Sequence, residues 1–255
     1  MKAAFLLIAA VLLSTTISGQ SQPSPPTGKA AATIDLAGYW VSVVSEDWRW
    51  RMVTPLKGDA ASVPINAEAR KVVDAWDPAK DEAASLECKA YGAPAVMRIP
   101  GRLHITWQDD NTLKIETDAG TQTRLFHFHA QPPAKSAPSW QGFSAATWEG
   151  ETQPPSGGIA LGLGMGARPQ RSRALQITTT QLRPGYLRKN GVPYSDQTVL
   201  KEYYDRFTEP NGDEWLTITT VVTDPVYLSI PFVTTTDFRR EPDGSKFRPT
   251  PCSAR

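Results

Sequence analysis

The sequence predicts an all-β fold, mainly antiparallel. The expected form is a curled sheet or β-barrel, lipocalin-like in general architecture, with a short helical insertion. Three observations predict it. Extended runs rich in β-branched and aromatic residues recur along the chain between Gly, Pro, Asn and Asp breaks. Helical spacing is clear in only one region, 66–90. No alternating βα rhythm appears, which disfavours a doubly wound sheet or an α/β barrel. An antiparallel meander protects its edges best by closing on itself, so a barrel leads over a sandwich.

Lys2 precedes eleven apolar residues, 3–13, and then small polar ones. That pattern reads as a secretory signal peptide over 1–19, because such a run reaches only about 17 Å as a helix. A membrane core is about 30 Å thick. The Pro- and Ser-bearing stretch 20–32 reads as a disordered spacer, leaving 33–255 as a single β-rich domain. Two extended runs follow, Tyr39 to Val44 and Trp48 to Val53; in the second, Trp48, Trp50 and Met52 alternate with Arg49 and Arg51. Next comes the helical region, with Asn66 as a cap and an Ala69, Val72, Val73, Trp76 stripe. Asp77 and Pro78 open a second helix through Ala90, where Asp81 and Glu82 are expected to offset the dipole. From Ala95 onward the chain reads as extended: 103–107, 113–117, 121–129, 140–149, 174–180, 199–207, 215–222 and 227–239. That makes about nine or ten strands.

The charge excludes some classes of function. Lys plus Arg is 27 against 26 for Asp plus Glu, a net of +1, so the overall charge carries no footprint for phosphate backbones or anionic lipid, and no nucleic-acid partner is expected. At 40% hydrophobic and 21% charged, the chain is not a disordered tail. No stretch after the leader is apolar enough to cross a membrane as a helix, so no membrane insertion of the mature chain is expected. Export would place the protein in the periplasm or outside the cell. There, Cys88 and Cys252 are disulfide candidates, with two free thiols the alternative. Such a bridge closes a loop of about 165 residues, worth roughly 5 kcal/mol in the chain-entropy model.

Trp140-Gln141-Gly142-Phe143-Ser144, followed by Trp148-Glu149-Gly150-Glu151-Thr152, is similar to a "W-x-G-x-S … W-E-G-D-T" segment. Glu202 to Phe207 and the later TTVVTDPVY stretch resemble the strands that accompany it. The resemblance is to a broad group of exported bacterial proteins of uncharacterised function. It implies one shared β domain and export, and it implies no reaction. Here the strand expected after Thr152 is displaced by the glycine-rich stretch 154–169, and the Glu202 to Phe207 motif is longer.

Several residues are candidates for chemistry. On a strand, His127 and His129 face one side, as two imidazoles sharing zinc or copper would, with His104 a third ligand; solvent-facing or hydrogen-bonded histidines explain the same letters. No cofactor is otherwise expected. The glycines of 154–169, with Arg168, Arg171 and Arg173 after them, match neither nucleotide-binding loop pattern and read as a surface loop or a lid. Glu149, Tyr204 and His127 are candidate acid–base residues, and Trp148, Arg206, Trp50 and His129 candidate ligand contacts. Glu149 beside Trp148 has a motive for a raised pKa, and Arg206 could hold a carboxylate in a fork. A structural Arg–carboxylate bridge among Glu149, Glu202, Asp205 and Arg206 competes with that reading. Three functions remain open: a binder of a small aromatic, apolar or sugar-like molecule in a cavity, a cofactor-independent hydrolase, lyase or isomerase, and a protein-interaction module.

Overall fold

The strand runs close into a ring. The computed structural model describes residues 25–134, 137–149 and 174–255. The expected leader, the first residues of the expected spacer, Gly150 to Thr152, the glycines of 154–169 and Arg168, Arg171 and Arg173 lie outside the described residues. In chain order the elements begin with β1 (Gly38–Val43), α1 (Trp48–Arg51), α2 (Ala67–Ala75), α3 (Pro78–Ala83), a 3-10 turn (Glu87–Tyr91) and α4 (Ala93–Val96). Then come β2 (Arg102–Asp109), β3 (Thr112–Thr117), β4 (Thr123–Phe128), β5 (Phe143–Trp148) and β6 (Leu175–Thr180). The chain ends with β7 (Gly185–Arg188), β8 (Val192–Tyr194), β9 (Val199–Thr208), β10 (Glu214–Thr223) and β11 (Phe232–Glu241).

Nine strands form a closed barrel in the order β1-β11-β10-β9-β6-β5-β4-β3-β2, while β7 and β8 pair separately. The barrel is mixed. Its neighbours are antiparallel except β4 and β5, which are joined by the long connection 129–142 and run parallel, Phe126 opposite Ser144. Alternate residues point inward, as strand geometry requires. Across β10 the inward set is Leu216, Ile218, Thr220 and Val222, opposite Phe238, Thr236, Thr234 and Phe232 of β11.

The lumen is packed. Trp40, Ile105, Ile115, Phe126, Leu175, Tyr204 and Ile218 are buried in one core cluster. Phe126 on β4 and Tyr204 on β9 meet edge to face with centroids 5.4 Å apart, although two strands separate β4 from β9 around the wall. Side chains therefore bridge the barrel here instead of lining an open ligand chamber. Val96 and Met97, at the end of α4, enter the same core. On the N-terminal side, Gly28 donates to Asn111 Oδ1 at 2.9 Å and accepts from the Trp148 indole at 2.7 Å. The end of the expected spacer is thus folded, because a turn around Gly28 covers the aromatic cluster of Phe128 and Trp148.

The helical insertion and the β7–β8 hairpin share a second core. Ala60, Val73, Ala93, Leu187 and Tyr194 pack there on Leu200, Val222 and Phe232 of the barrel. Asn66 caps α2 by accepting from Ala69 N at 3.0 Å, and Asp77 caps α3, which starts with Pro78, as the spacing predicted. Other expectations fail. Residues 48–51 are helical, not extended, and Trp48 is exposed while Arg51 is buried. The reason is tertiary: Arg51 is held inward by the carbonyl of Arg98 and by Ser42. The second helix stops at Ala83, a 3-10 turn follows, and Ala95 lies in α4. Asp81 does stand in the first turn of α3, as expected, and there it is also a buried partner of Lys89 and Tyr186.

Candidate anion-binding site

The most chemically unusual place lies outside the lumen, where α1, the end of α4 and β7 converge. Trp50, Arg51, Val53, Ala95, Arg98 and Arg188 contribute to an open cavity of about 40 Å³ there, between the helical insertion and the hairpin. That is room for a few waters or one small charged group, not for a drug-sized ligand.

Three of these residues are buried arginines: Arg51, Arg98 and Arg188 are 8%, 6% and 5% exposed. Each is anchored through part of its guanidinium. Arg51 Nε donates to Arg98 O at 2.9 Å and Nη2 to Ser42 Oγ at 3.2 Å. Arg98 Nη2 donates to Asp47 Oδ2 at 2.5 Å. Arg188 Nη1 donates to Ala61 O at 2.7 Å, and its guanidinium carbon sits 4.8 Å over the Trp50 ring. The remaining donors are unspent. Arg51 Nη1, Arg98 Nη1 and Arg188 Nε and Nη2 are buried without a hydrogen-bond partner among the described residues. Neither Arg51 nor Arg188 makes an ion pair with a carboxylate among the described residues.

Such an arrangement is costly, since buried polar groups are ordinarily paired. Burial first, and Arg98 second, pushes Arg51 down to about 10, with Glu46, Asp47 and Asp237 acting in the opposite direction. Burial and Arg98 likewise push Arg188 down to about 10, against Asp47 and Asp59. Both values stay above neutrality, so Arg51 and Arg188 are cationic at pH 7. The surrounding frame is fixed by Asp59, which accepts from Trp50 Nε1 and Arg49 Nη2, each at 3.1 Å. Asn190 Nδ2 ties down the same loop by donating to Leu56 O and Asp59 O. Guanidinium donors of this kind are the chemical complement of an anion's oxygens.

Of the residues singled out from the sequence, Trp50 is the one that reaches this cavity. Trp148 and Tyr204 are buried on the lumen side, linked through Leu175, which is opposite Trp148 on β5 and Tyr204 on β9. Trp148 stacks on Phe128 and bonds Gly28. Glu149 lies one residue beyond β5, where alternation turns away from the lumen, and its backbone N–H donates to Ala174 O. Arg206 pairs with Glu214, not with Glu149.

The histidines do not converge as alternation suggested. His127 stacks on Phe143 on the outer wall, and burial pushes its pKa down against the pull of Asp109. His129 follows the end of β4 with φ of 56°, which breaks the alternation, and its Nε2 lies 3.0 Å from Pro26 O. His104 stacks on Tyr39, and its Nδ1 lies 3.2 Å from Glu116. Among the described residues, no group of three or more His, Cys, Asp or Glu side chains is placed to hold a metal ion.

Sequence reasoning missed Arg51, Arg98 and Arg188 as a set because they are 47 and 90 residues apart along the chain. Arg51 sits in a run whose alternation reads as a strand, and only the fold brings the three together. Cys88 and Cys252, by contrast, are joined as expected, with Cα atoms 5.1 Å apart. No protein-family model, no curated protein and no solved structure matches this chain.

Proposed function

We propose that this is an exported binding protein for a small oxyanion group, a carboxylate, phosphate or sulfate, taken up by Arg51, Arg98 and Arg188. The observation that carries the reading is the set of four buried guanidinium nitrogens, on three arginines that line one small cavity, without partners among the described residues. The three arginines come from α1, from the turn after α4 and from β7, each anchored by a hydrogen bond of its own. The leader-like N-terminus and the resemblance to exported bacterial proteins support export, and the cysteine pair fits an oxidising compartment.

An acid–base enzyme built on Glu149, His127 and Tyr204 has less support. Tyr204 faces the lumen and its hydroxyl bonds Glu202, whereas His127 stacks on the outer face of β4. An apolar ligand in the lumen is likewise disfavoured by the side chains that meet across it.

The test is calorimetric titration of the full protein with inorganic phosphate, sulfate and acetate, paired with thermal melting. We expect saturable binding of at least one of them, lost by tenfold or more (about 1.4 kcal/mol) in both Arg51→Gln and Arg188→Gln. Arg188 is the cleaner probe, because Arg51 also braces Arg98. No saturable binding to the wild type, or equal affinity in a folded R188Q, would overturn the reading.

A further inference from the structure

We propose that residues 48–57 dock the protein on an anionic lipid bilayer, with a lipid phosphate as the group seated among Arg51, Arg98 and Arg188. The inference rests on the anion-binding reading above and names what carries the anion.

Large apolar side chains are strongly exposed at seven described positions, and four of them fall within 48–56: Trp48 68%, Met52 59%, Val53 64% and Leu56 80%. This is not scattered surface hydrophobicity. Val53 is also part of the cavity wall, so the apolar patch and the arginine cluster are continuous. Leu56 is joined to the other wall, because its carbonyl accepts from Asn190, two residues after Arg188.

The shape selects the occupant. A cavity of about 40 Å³ has no room for an acyl chain, and the four apolar side chains project outward. A free inorganic anion would make no use of them. A flat interface with phosphates at its surface and hydrocarbon beneath meets both features at once. Tryptophan is favoured at that depth, and shallow apolar insertion combined with basic side chains is how peripheral proteins hold to lipid. Lys57 adds exposed positive charge on the same segment and Arg49, exposed but paired with Asp59, borders it, so the basic character here is local and does not show in the near-zero charge of the whole chain. The loop is already braced through Asp59 and Asn190, so docking orders little chain.

The experiment is co-sedimentation of the full chain with vesicles of phosphatidylcholine alone and of phosphatidylcholine mixed with phosphatidylglycerol. The wild type should bind the mixed vesicles and leave the neutral ones. Trp48→Ser combined with Leu56→Ser should lower partitioning about tenfold or more. The same variant should keep the phosphate response seen in calorimetry. Arg188→Gln should lose both.

Phosphate binding without vesicle binding would overturn this inference and leave the anion site standing. Vesicle binding unchanged by W48S/L56S would overturn it as well. If an acidic peptide bound through the patch while vesicles did not, the surface would belong to a protein partner instead. Absence of both phosphate and vesicle binding would remove the anion site together with the docking surface.

Discussion

Arg124 on β4 and Glu202 on β9 form a two-pronged ion pair inside the barrel, Nη1 to Oε1 at 2.8 Å and Nη2 to Oε2 at 2.6 Å, with both side chains fully buried. Tyr204 donates its hydroxyl to the same carboxylate at 3.2 Å, and Thr179 with Ser144 extends the network. Burial works against the charge on Arg124, but Glu202 and Tyr204 outweigh it and keep the guanidinium protonated. The Tyr204 hydroxyl, buried and beside Glu202, is pushed well above its ordinary range and stays neutral.

Breaking this pair should be severe, and replacing it whole should not. Arg124→Met or Glu202→Gln alone should cost about 3–5 kcal/mol, because one charge is left buried without its partner. Arg124→Met combined with Glu202→Leu should recover most of that loss. Urea unfolding of the three variants checks this, and equal losses in all three would show that packing, not charge, dominates here.

Acid should loosen the joint between the hairpin and the barrel through Asp224. Its carboxylate is 2% exposed, and it accepts from Ser195 N, Thr198 Oγ1, Val226 N and Tyr227 N. Burial alone would raise its pKa, but those four donors outweigh burial and hold it below the ordinary value of 3.8. A depressed folded pKa contributes stability that is present above the unfolded value and is lost as pH falls through the folded one. Unfolding free energy should therefore drop faster below about pH 4 in the wild type than in Asp224→Asn. At neutral pH the variant should already be less stable by about 2 kcal/mol. Parallel pH profiles for the two proteins would remove Asp224 from this role.

Reduction should destabilise the whole domain, not only the tail. Cys88 and Cys252 are separated by 164 positions, a closure worth about 5 kcal/mol in the chain-entropy model. The tail is also held by Thr250 N to Asp118 O, Ser253 N to the Tyr91 hydroxyl and Arg255 to Glu82. With Cys88→Ser, we expect a clear fall in melting temperature and faster proteolysis beyond Arg248. An unchanged melting temperature under full reduction would mean that these contacts suffice without the bridge.

Glu149→Gln should leave anion affinity as it is. Glu149 follows β5 and does not reach the arginine cavity, whereas Arg188 lines it. Calorimetry with phosphate on both variants separates the two regions, and a loss in E149Q equal to that in R188Q would join them into one site.

Local patterns made much of the barrel legible. The period-two alternation of Leu113 to Thr117 and Leu216 to Val222 sets which side chains enter the lumen, and Asn66 and Asp77 announce their helices by capping chemistry. Glu202 and Tyr204 share a face for the same reason, and the two cysteines had few other partners to meet. Tertiary structure alone decided the rest. Trp48 to Arg51 alternates like a strand yet forms a helix, because a short segment follows its long-range contacts rather than its pattern. Arg124 shares its strand face with Phe126 and Phe128, but only β9 brings Glu202 across the barrel to meet it. Arg51, Arg98 and Arg188 carry no mutual spacing in the chain. They become one cluster because the barrel end, the helical insertion and the hairpin bury a common apolar core beside them, and no local rule encodes a meeting that depends on packing at that distance.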